Sequence, residues 1–301
     1  MFDTFTNYTT VALIPAHNEA RFIGSVVLEA RQHVKTVVVV DDGSADSTAN
    51  IAQAAGATVL QLEKNVGKAG AIMAGLALMA HNAPHVVVML DGDGQHNAAE
   101  IPHLLEPIAT GSADLVIGTR FSSIQSDIPA WRQVGQHTLT QVTNLASGVH
   151  LTDSQSGFRA FSAEVLPLLN FATDGFSLES EMQFIIRKHE LRVSEVPISV
   201  VYAEAPKRNP ITHGLQVLNG IIKLVGMSRP LLFFCVPGIT SLLLGFAMGL
   251  LIMRIYQQST ELAVGYALIC IMLLIIGTTS LSTGVILYSL RTWLVNWQRQ
   301  N

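Results

Sequence analysis

Cysteine and charge are both scarce in this chain. Among its 301 residues are two cysteines, Cys235 and Cys270, which lie in the apolar C-terminal part without the spacing of a metal site. We interpret both as small residues in apolar surroundings, not as a disulfide. Charged residues are 13% of the chain, the formal net charge is −4 and no block of like charge occurs, so we expect no nucleic-acid binding. The opening MFDTFTNYTT has neither a basic segment nor an apolar core, so we expect no signal peptide.

Apolar residues, in contrast, are abundant. They are 49% of the chain, the mean hydropathy is +0.40, and the excess lies towards the C-terminus. Residues 231–253 carry no charge and are long enough to span a bilayer, for which about 20 apolar residues suffice. Residues 262–290 form a second such run, and the short link 254–261 makes the pair a predicted hairpin. Trp293 and Trp297 fit an interfacial aromatic belt, so we expect residues 230–301 to anchor the chain in a membrane.

The segment before the first span, residues 211–229, has the periodicity of an amphipathic helix, with apolar residues at spacings of three and four. Beside a membrane span such a helix is expected to lie in the interface, and packing on the soluble domain is the alternative. The positive-inside rule places the large domain and both termini in the cytoplasm, because the link between the spans holds only one basic residue, Arg254. The basic residues on the other side are Lys207, Arg208, Lys223, Arg229, Arg291 and Arg299.

Residues 1–210 show an alternation of strands and helices, which predicts one α/β domain with a doubly wound, mainly parallel sheet. Predicted strands cover residues 11–14, 36–40, 58–62, 86–90 and 114–118, with short strands within 192–202. Predicted helices cover residues 19–32, 65–79, 100–108, 131–147 and 177–188, and another follows residue 48. Asn18, Ser44 and Asp46 have the side chains that commonly cap a helix N-terminus.

The motif around which the chain is organised is DGDGQ, Asp91 to Gln95, directly after the apolar run 86–90. Ligands of open α/β sheets bind beyond the carboxyl ends of such buried strands. Two carboxylates there approach an anionic ligand through a metal, and Mg²⁺ or Mn²⁺ is held by one or two carboxylates plus substrate phosphates. The alternative is a turn with solvated acids, because Asp-Gly is a common turn pair. An EF-hand loop does not fit, because Gln95 and His96 stand where a ligand and a glycine are required.

Three further motifs follow predicted strands. PAHNE, which begins at Pro15, ends the first strand, and a strand–turn–helix link without a ligand is its alternative interpretation. DDGSADST begins with Asp41 and Asp42, which suit the ribose hydroxyls or base N–H groups of a nucleotide or form an ordinary capping turn. NVGKAGA puts Lys68 beside a glycine at a helix N-terminus, where amide donors and the helix dipole favour an anion. It matches neither a P-loop nor a dinucleotide fingerprint.

Taken in order, the motifs PAHNE, DDGSADST, NVGKAGA, DGDGQ, GTRF and SGFRA resemble those of family 2 glycosyltransferases with the GT-A fold. Their grouping is most similar to membrane-anchored polyprenyl-phosphate sugar synthases, the dolichyl-phosphate mannose or glucose synthase group. The resemblance covers about residues 10–205. Six motifs in sequence are specific for the superfamily and less specific for the sugar.

The resemblance implies a nucleotide-sugar pocket, a divalent metal (Mg²⁺ or Mn²⁺) on the diphosphate, and a site for the lipid phosphate. The residues expected to bind the nucleotide sugar are Pro15, Ala16, Glu19, Asp42, Asp91, Lys207 and Arg208, together with Lys68 at its helix N-terminus. The expected metal ligands are Asp93 and Gln95. The residues expected to bind the acceptor phosphate are Arg120 and Arg132. Of these, Asp93 and the two arginines are the predicted catalytic residues. Two departures from the family pattern occur. Gln136 replaces a serine one turn after the second arginine, and KRNPITHG lacks the usual Gly-x-Ser-Lys ending of a basic loop.

Three functions follow as hypotheses. The first is inverting transfer of a hexose from a UDP- or GDP-sugar to a polyprenyl phosphate at the membrane, and a homo-oligomer is compatible with it. The second is a membrane polysaccharide synthase, which needs a base such as Glu179 or Glu181 for a hydroxyl acceptor, and normally a QxxRW motif. The nearest match, QFIIRK at residues 183–188, has the wrong spacing and no tryptophan. The third is a non-catalytic scaffold that binds a nucleotide sugar.

Overall fold

The computed structural model describes residues 9–79, 84–120, 130–171, 178–200, 226, 230–259 and 263–300, without the side chains of 130–134, 291 and 294–300. Its contacts divide the chain into two units, Met1–Ile221 and Ile222–Asn301, and each is described by itself. The first contains the sheet and the second contains the two long apolar helices.

The first unit is built on a seven-stranded sheet of order β3-β2-β1-β4-β6-β5-β7. The strands are β1 Thr10–Ala16, β2 Thr36–Asp41, β3 Thr58–Gln61, β4 Val86–Met89, β5 Leu115–Thr119, β6 Arg159–Ser162 and β7 Val193–Pro197. The helices are α1 Ile23–Ala30, α2 Thr48–Ala54, α3 Gly67–Met79, α4 Ile101–Ala109, α5 Ala130–Ser147 and α6 Leu178–His189. Short 3₁₀ helices cover Ala98–Glu100 and Leu166–Leu168.

Alternate side chains along each strand point to opposite faces of the sheet, and an apolar core lies on each face. In β1, Ala12 and Ile14 join the cluster that packs under α1, α2 and α4, while Val11 and Leu13 join the cluster under α3 and α6. Because both faces are covered, the central strands are apolar at nearly every position, as expected for buried parallel strands.

The prediction of a mainly parallel sheet is confirmed. Strand β1 pairs in parallel with β2 and β4, β2 with β3, and β5 with β7. Strand β6 is antiparallel and lies between β4 and β5. Since β6 opposes both neighbours, β4 and β5 run in the same direction, and their carboxyl ends lie at the same edge of the sheet.

The cap predicted at Asn18 is wrong. Helix α1 begins at Ile23, its N-cap Phe22 makes no side-chain capping bond, and Asn18 has a φ of 56° in the left-handed region. The Asn18 side chain accepts a hydrogen bond from the backbone N–H of Ala45 at 2.9 Å instead. Asparagine tolerates this conformation better than most residues, so it turns the chain after β1 rather than starting a helix.

The second unit contains two helices long and apolar enough to span a membrane, Leu231–Ser259 and Val264–Leu290. The first opens with a π-helical turn, Leu231–Cys235, and continues as α7, Val236–Ser259; α8 runs from Val264 to Gln300. Both α7 and α8 are longer than the predicted spans. Apart from the isolated Gly226, the predicted interfacial segment 211–229 lies outside the described residues.

Helices α7 and α8 pack through small residues. The Ser241 hydroxyl donates to the carbonyl of Leu273 at 2.7 Å, and the Ser280 hydroxyl donates to the carbonyl of Phe234 at 2.7 Å. A methyl group on Gly238 would lie 3.1 Å from the carbonyl oxygen of Gly277. Large side chains such as Phe246 point outward and are exposed. Close approach at small residues, with bulky apolar groups outside, is typical of helix pairs in lipid.

Candidate active site

The carboxyl ends of β1, β2 and β4 meet at one edge of the sheet. The register aligns Ala16 with Asp41 and Leu13 with Met89. The residues predicted to bind the nucleotide sugar from PAHNE, DDGSADST and DGDGQ therefore emerge beside one another. Pro15 and Ala16 are buried in the last two positions of β1.

Side-chain bonds join the first two of these loops. The Ser44 hydroxyl accepts from the backbone N–H of Asn18 at 2.9 Å, and the Thr48 hydroxyl accepts from the N–H of Glu19 at 2.8 Å. The Asp46 carboxylate accepts from the N–H groups of Ala20 at 3.1 Å and Thr48 at 3.0 Å. The helix caps predicted at Ser44 and Asp46 are wrong, because the N-cap of α2 is Ser47, which makes no side-chain capping bond. Asp46 bonds the backbone of Thr48, the first residue of the helix, and Ser44 bonds the neighbouring loop.

Asp41 and Asp42 are both buried but have different environments. Asp42 accepts from the backbone N–H groups of Val66 at 2.7 Å and Gly67 at 2.9 Å. The anion held at the start of α3 is therefore the Asp42 carboxylate itself. Asp41 accepts from Ser44 with Oδ1, while its buried Oδ2 has no hydrogen-bond partner among the described residues. A buried carboxylate oxygen of this kind is suited to accept a hydrogen bond from a ligand.

The DGDGQ segment turns sharply after β4. Gly94 has a φ of 70°, a conformation that favours glycine, and the N–H of Gln95 donates to Asp93 Oδ1 at 3.0 Å. Burial, followed by the charge of Asp91, raises the pKa of Asp93 above its ordinary value. Asp93 therefore carries its charge at an energetic cost that a cation would relieve.

Lys68 lies between two carboxylates. Its Nζ is 2.8 Å from Asp91 Oδ1 and 3.0 Å from Glu179 Oε1. Burial alone would lower the pKa of Lys68, but the charges of Asp91 and Glu179 raise it well above its usual range. Burial would likewise raise the pKa of Asp91, yet the Lys68 ammonium holds it well below its usual range. Lys68, predicted to contact the nucleotide sugar, is thus the counter-ion of the first acid of DGDGQ.

Two further residues surround this ion pair. The His96 ring, which is 8% exposed, places Nε2 3.7 Å from Asp91 Oδ2 and packs on Phe158 with 5.3 Å between ring centroids. Gly157 lies so close that a Cβ atom there would stand 2.6 Å from Asp91 Oδ2 and 3.0 Å from Lys68 Nζ. The SGFRA motif therefore contacts the DGDGQ motif directly, and only glycine fits at this position without displacing the pair.

The donor atoms around Asp93 fit a hard divalent cation. Carboxylate and amide oxygens are the ligands that Mg²⁺ and Mn²⁺ prefer, and burial together with the charge of Asp91 raises the pKa of Asp93, so a cation there would stabilise its ionised form. Across the residues that the structure describes, no group of three or more His, Cys, Asp or Glu side chains is arranged to hold a metal. Such a site would be completed by substrate phosphates, as is usual for Mg²⁺.

Arg120 follows β5 and is buried against Asp153. Its Nε donates to Asp153 Oδ2 at 2.6 Å and its Nη2 donates to Oδ1 at 2.7 Å. Nearby, the fully buried Arg159 donates to the carbonyls of Ser156 at 2.9 Å and Ser154 at 2.8 Å. The predicted acceptor residue Arg120 is thus held by a carboxylate in a site that contains a second guanidinium.

The remaining predicted residues are described only in part. Arg132 lies in α5, but its side chain is outside the described part, as are Lys207 and Arg208. Gln136, which replaces the serine of the family pattern, has a buried Oε1 without a hydrogen-bond partner among the described residues.

Sequence reasoning missed four site residues: Asp153, Gly157, His96 and, as a partner of Lys68, Glu179. Three of them adjoin motifs that the sequence did single out, since His96 follows DGDGQ, Gly157 lies in SGFRA, and Asp153 precedes it by three residues. Asp153 lies 33 residues from its partner Arg120, and Glu179 lies 111 residues from its partner Lys68. No local sequence pattern could therefore pair them.

Comparisons with known proteins identify the family to which the chain belongs. Residues 11–167 match the model of Glycosyl transferase family 2. A UDP-N-acetylglucosamine–dolichyl-phosphate N-acetylglucosaminyltransferase of Methanococcus voltae is 31% identical over 214 residues, covering 64% of this chain and 85% of the relative. An undecaprenyl-phosphate mannosyltransferase of Micrococcus luteus is 30% identical over 212 residues, covering 64% of this chain and 84% of the relative.

Among solved structures, the glucosyl-3-phosphoglycerate synthase of Mycobacterium tuberculosis, in complex with Mn²⁺, UDP and glucosyl-3-phosphoglycerate, superposes with a TM-score of 0.58. It is 25% identical, and the match covers 74% of this chain and 82% of that one. The expectation of a GT-A-like α/β fold is confirmed. The chain belongs to glycosyl transferase family 2.

Proposed function

We propose that this chain transfers a hexose from a nucleoside diphosphate sugar to the phosphate of a polyprenyl lipid, with inversion at the anomeric carbon. One observation carries the proposal. Carboxylates suited to a metal and a buried guanidinium come directly after two strands, and both strands end at the same edge of one sheet. Asp91 and Asp93 follow β4, and Arg120 follows β5. Such a pair of sites suits two phosphate-bearing substrates.

On the donor side, the buried Oδ2 of Asp41 would accept a hydrogen bond from an N–H of the base or from a ribose hydroxyl. Pro15, Ala16, Glu19 and Asp42 would line or support this pocket. Asp93 and Gln95 would hold Mg²⁺ or Mn²⁺ on the diphosphate. When bound, the cation would stabilise the negative charge that develops on the departing nucleoside diphosphate.

On the acceptor side, a lipid phosphate needs no general base. Its second pKa is near ~6, so at neutral pH it is largely a dianion and already nucleophilic. Arg120 and Arg132 would orient it for attack on the face of the sugar opposite the leaving group. Positioning, rather than proton transfer, would then be the main contribution of the protein.

The competing interpretation, extension of a glycan on a sugar hydroxyl, requires a base. Burial alone would raise the pKa of Glu179, but the charges of Lys68 and Arg159 lower it below the ordinary value. A carboxylate held in an ion pair at 3.0 Å is a weak proton acceptor at neutral pH. The lowered pKa and the ion pair with Lys68 therefore count against Glu179 as that base.

The relatives support the same class of acceptor. The two curated enzymes are named for dolichyl phosphate and undecaprenyl phosphate, and they differ in the sugar, N-acetylglucosamine in one and mannose in the other. The donor of this chain would accordingly be a UDP- or GDP-hexose. The names of the two relatives agree on the class of acceptor and differ on the sugar.

The two apolar helices would anchor the enzyme where its lipid acceptor is dissolved. Confinement to the same surface raises the effective concentration of enzyme and acceptor. The distribution of basic residues would place the catalytic unit and both termini in the cytoplasm.

The test uses purified full-length chain in detergent with a polyprenyl phosphate, Mg²⁺ or Mn²⁺, and labelled UDP-glucose, UDP-N-acetylglucosamine or GDP-mannose. We expect one donor to yield a chloroform-soluble, mild-acid-labile monosaccharide lipid. A labelled polymer would support the glycan-extension interpretation, and binding without turnover would support the scaffold. Either result would refute the proposal.

A further inference from the structure

We propose that Arg159 is a positioning residue, which fixes the distance between the donor and acceptor sides of the active site by holding the segment that joins them. This segment is residues 153–157, DSQSG, and we call it the joining segment. The proposal rests on the proposed function and adds to it a buried residue that would touch neither substrate. The alternative is that Arg159 only stabilises the fold. The two roles predict different kinetics, because only the first sets the relative position of the two substrates.

The joining segment contacts one side of the site at each end. At its first residue, Asp153 Oδ2 accepts from Arg120 Nε at 2.6 Å and Oδ1 accepts from Nη2 at 2.7 Å. At its last residue, a Cβ atom on Gly157 would lie 2.6 Å from Asp91 Oδ2 and 3.0 Å from Lys68 Nζ. A shift of this segment would therefore displace Arg120 relative to Asp91.

Arg159 holds the joining segment by its backbone. Its Nη2 donates to the carbonyl of Ser154 at 2.8 Å, and its Nε donates to the carbonyl of Ser156 at 2.9 Å. Both serines are buried, and no backbone N–H of the described residues bonds either carbonyl. A buried carbonyl without a donor is costly, so the guanidinium takes the place of a secondary-structure partner here. Because Nε and Nη2 belong to one rigid plane, they fix the spacing and direction of the two carbonyls.

Arg159 is itself fixed by the sheet. It is the first residue of β6, and the register sets it opposite Met89 on β4 and Ile117 on β5. Asp91 comes two residues after Met89, and Arg120 comes three residues after Ile117. Arg159 thus lies between the strands that carry the two sides of the site, and it connects the joining segment to both strands.

The hydrogen-bond partners of Arg159 are neutral. Besides the two carbonyls, its Nη1 donates to the sulfur of Met182 at 2.9 Å. The side chain is 0% exposed, and burial lowers the pKa of Arg159 against the opposing effect of the charges of Glu179 and Asp153. An apolar side chain of similar volume would fill this space without the cost of burying a charge. The guanidinium adds a rigid pair of donors, which is the property that positioning needs.

The first measurement compares wild type with Arg159→Met, which keeps an unbranched side chain but removes the donors. Positioning predicts that kcat for transfer to polyprenyl phosphate falls about 100-fold, because misplacement by about 1 Å costs this much. The KM values for lipid and nucleotide sugar should stay within about threefold, because each substrate is still bound by its own residues.

Two results would overturn the proposal. If kcat stays within about twofold of wild type while Tm falls, Arg159 has a structural role alone. If either KM rises about tenfold or more, Arg159 acts within one side of the site and does not set the distance between the two sides.

The matched control is Met182→Leu. It changes a buried neighbour of Arg159 and leaves both carbonyl contacts in place, and swaps between methionine and leucine are well tolerated in cores. Its kcat should stay within about twofold of wild type, because the spacing of the two carbonyls is unchanged. A fall as large as that of Arg159→Met would overturn the proposal, since any change in this part of the core would then have the same effect.

Arg159→Lys decides the question if Arg159→Met does not fold. Lysine keeps a cation but is a point charge on a flexible stem, without the rigid fork of a guanidinium. We expect its kcat to fall about tenfold or more, because one ammonium does not fix the spacing of two carbonyls. If the lysine variant retains the kcat of wild type, the charge is sufficient and the proposal is overturned.

Wild-type behaviour separates this inference from the proposed function. If wild type does not glycosylate a polyprenyl phosphate with any donor, the proposed function fails and this inference fails with it. If wild type is active and the Arg159 variants keep its kcat, only this inference fails.

Discussion

Replacing Gly157 by alanine should abolish most activity while leaving the chain folded. The new methyl group would stand 2.6 Å from Asp91 Oδ2, about 0.8 Å closer than the 3.4 Å at which ordinary contact begins. It would also stand 3.0 Å from Lys68 Nζ. Both atoms are at the ends of side chains, so they can move aside, and we expect a stability cost of about 1–3 kcal/mol, typical of overpacking. Displacement of Asp91 by most of an ångström should lower kcat/KM by about 100-fold.

The measurements are initial rates of hexose transfer and the Tm of the detergent-solubilised chain. The matched control is Gly135→Ala, because a Cβ atom at Gly135, in α5, would have no atom of the described residues within 4 Å. This control should keep full activity and gain up to about 1 kcal/mol from the helical preference of alanine. If Gly157→Ala retained activity within about threefold, the placement of Asp91 would not matter to the reaction and the geometric argument would be refuted.

Three further predictions concern charges in the same site. Burial raises the pKa of Asp93, so its ionised form destabilises the fold at neutral pH, and this cost disappears as the pH falls through that pKa. Without metal, Asp93→Asn should therefore raise Tm at pH 7.5 and raise it by less in acid. Mn²⁺ plus nucleotide at 100 times Kd should stabilise wild type by about 2.7 kcal/mol, and the variant should lose this stabilisation. Lys68→Met should lower the free energy of unfolding in denaturant titrations by about 1–3 kcal/mol, which is less than the loss of a fully buried pair because the Lys68 and Asp91 side chains are 35% and 29% exposed. The control, Lys64→Met, replaces an exposed lysine and should change the free energy of unfolding by less than about 0.5 kcal/mol. Equal effects of the two substitutions would contradict the ion-pair assignment. Glu179→Gln should leave the acidic limb of the pH–rate profile near the lipid phosphate's value of ~6, and loss of that limb would indicate a catalytic base.

The positions of the main motifs could be predicted from the sequence. Apolar runs of four to six residues followed by acids, as in 86–90 and DGDGQ, place carboxylates at strand ends, and the carboxyl ends of parallel strands share an edge. The two long uncharged runs likewise predict the apolar helices without any knowledge of packing.

Conformation and pairing of particular residues could not be predicted in the same way. Asn18 has the side chain of a helix cap, yet its φ of 56° turns the chain, and its side chain bonds a neighbouring loop. The family resemblance predicts that Arg120 binds the acceptor phosphate, but it gives no sign of the carboxylate partner Asp153, which lies 33 residues further along the chain, before the antiparallel strand β6. A short strand such as β6, Arg159–Ser162, carries no signal of the direction in which it will pair.

By itself, the sequence determined the α/β class and the apolar C-terminal helices, because these depend on residue type and on periodicity along the chain. The kind of chemistry was implied by the resemblance of its ordered motifs to those of family 2 glycosyltransferases. The tertiary structure decided which charges are partners: Lys68 with Asp91 and Glu179, and Arg120 with Asp153. The physical reason is that an ion pair depends on distance in space, and those distances are set by strand order and register, which the local sequence does not specify.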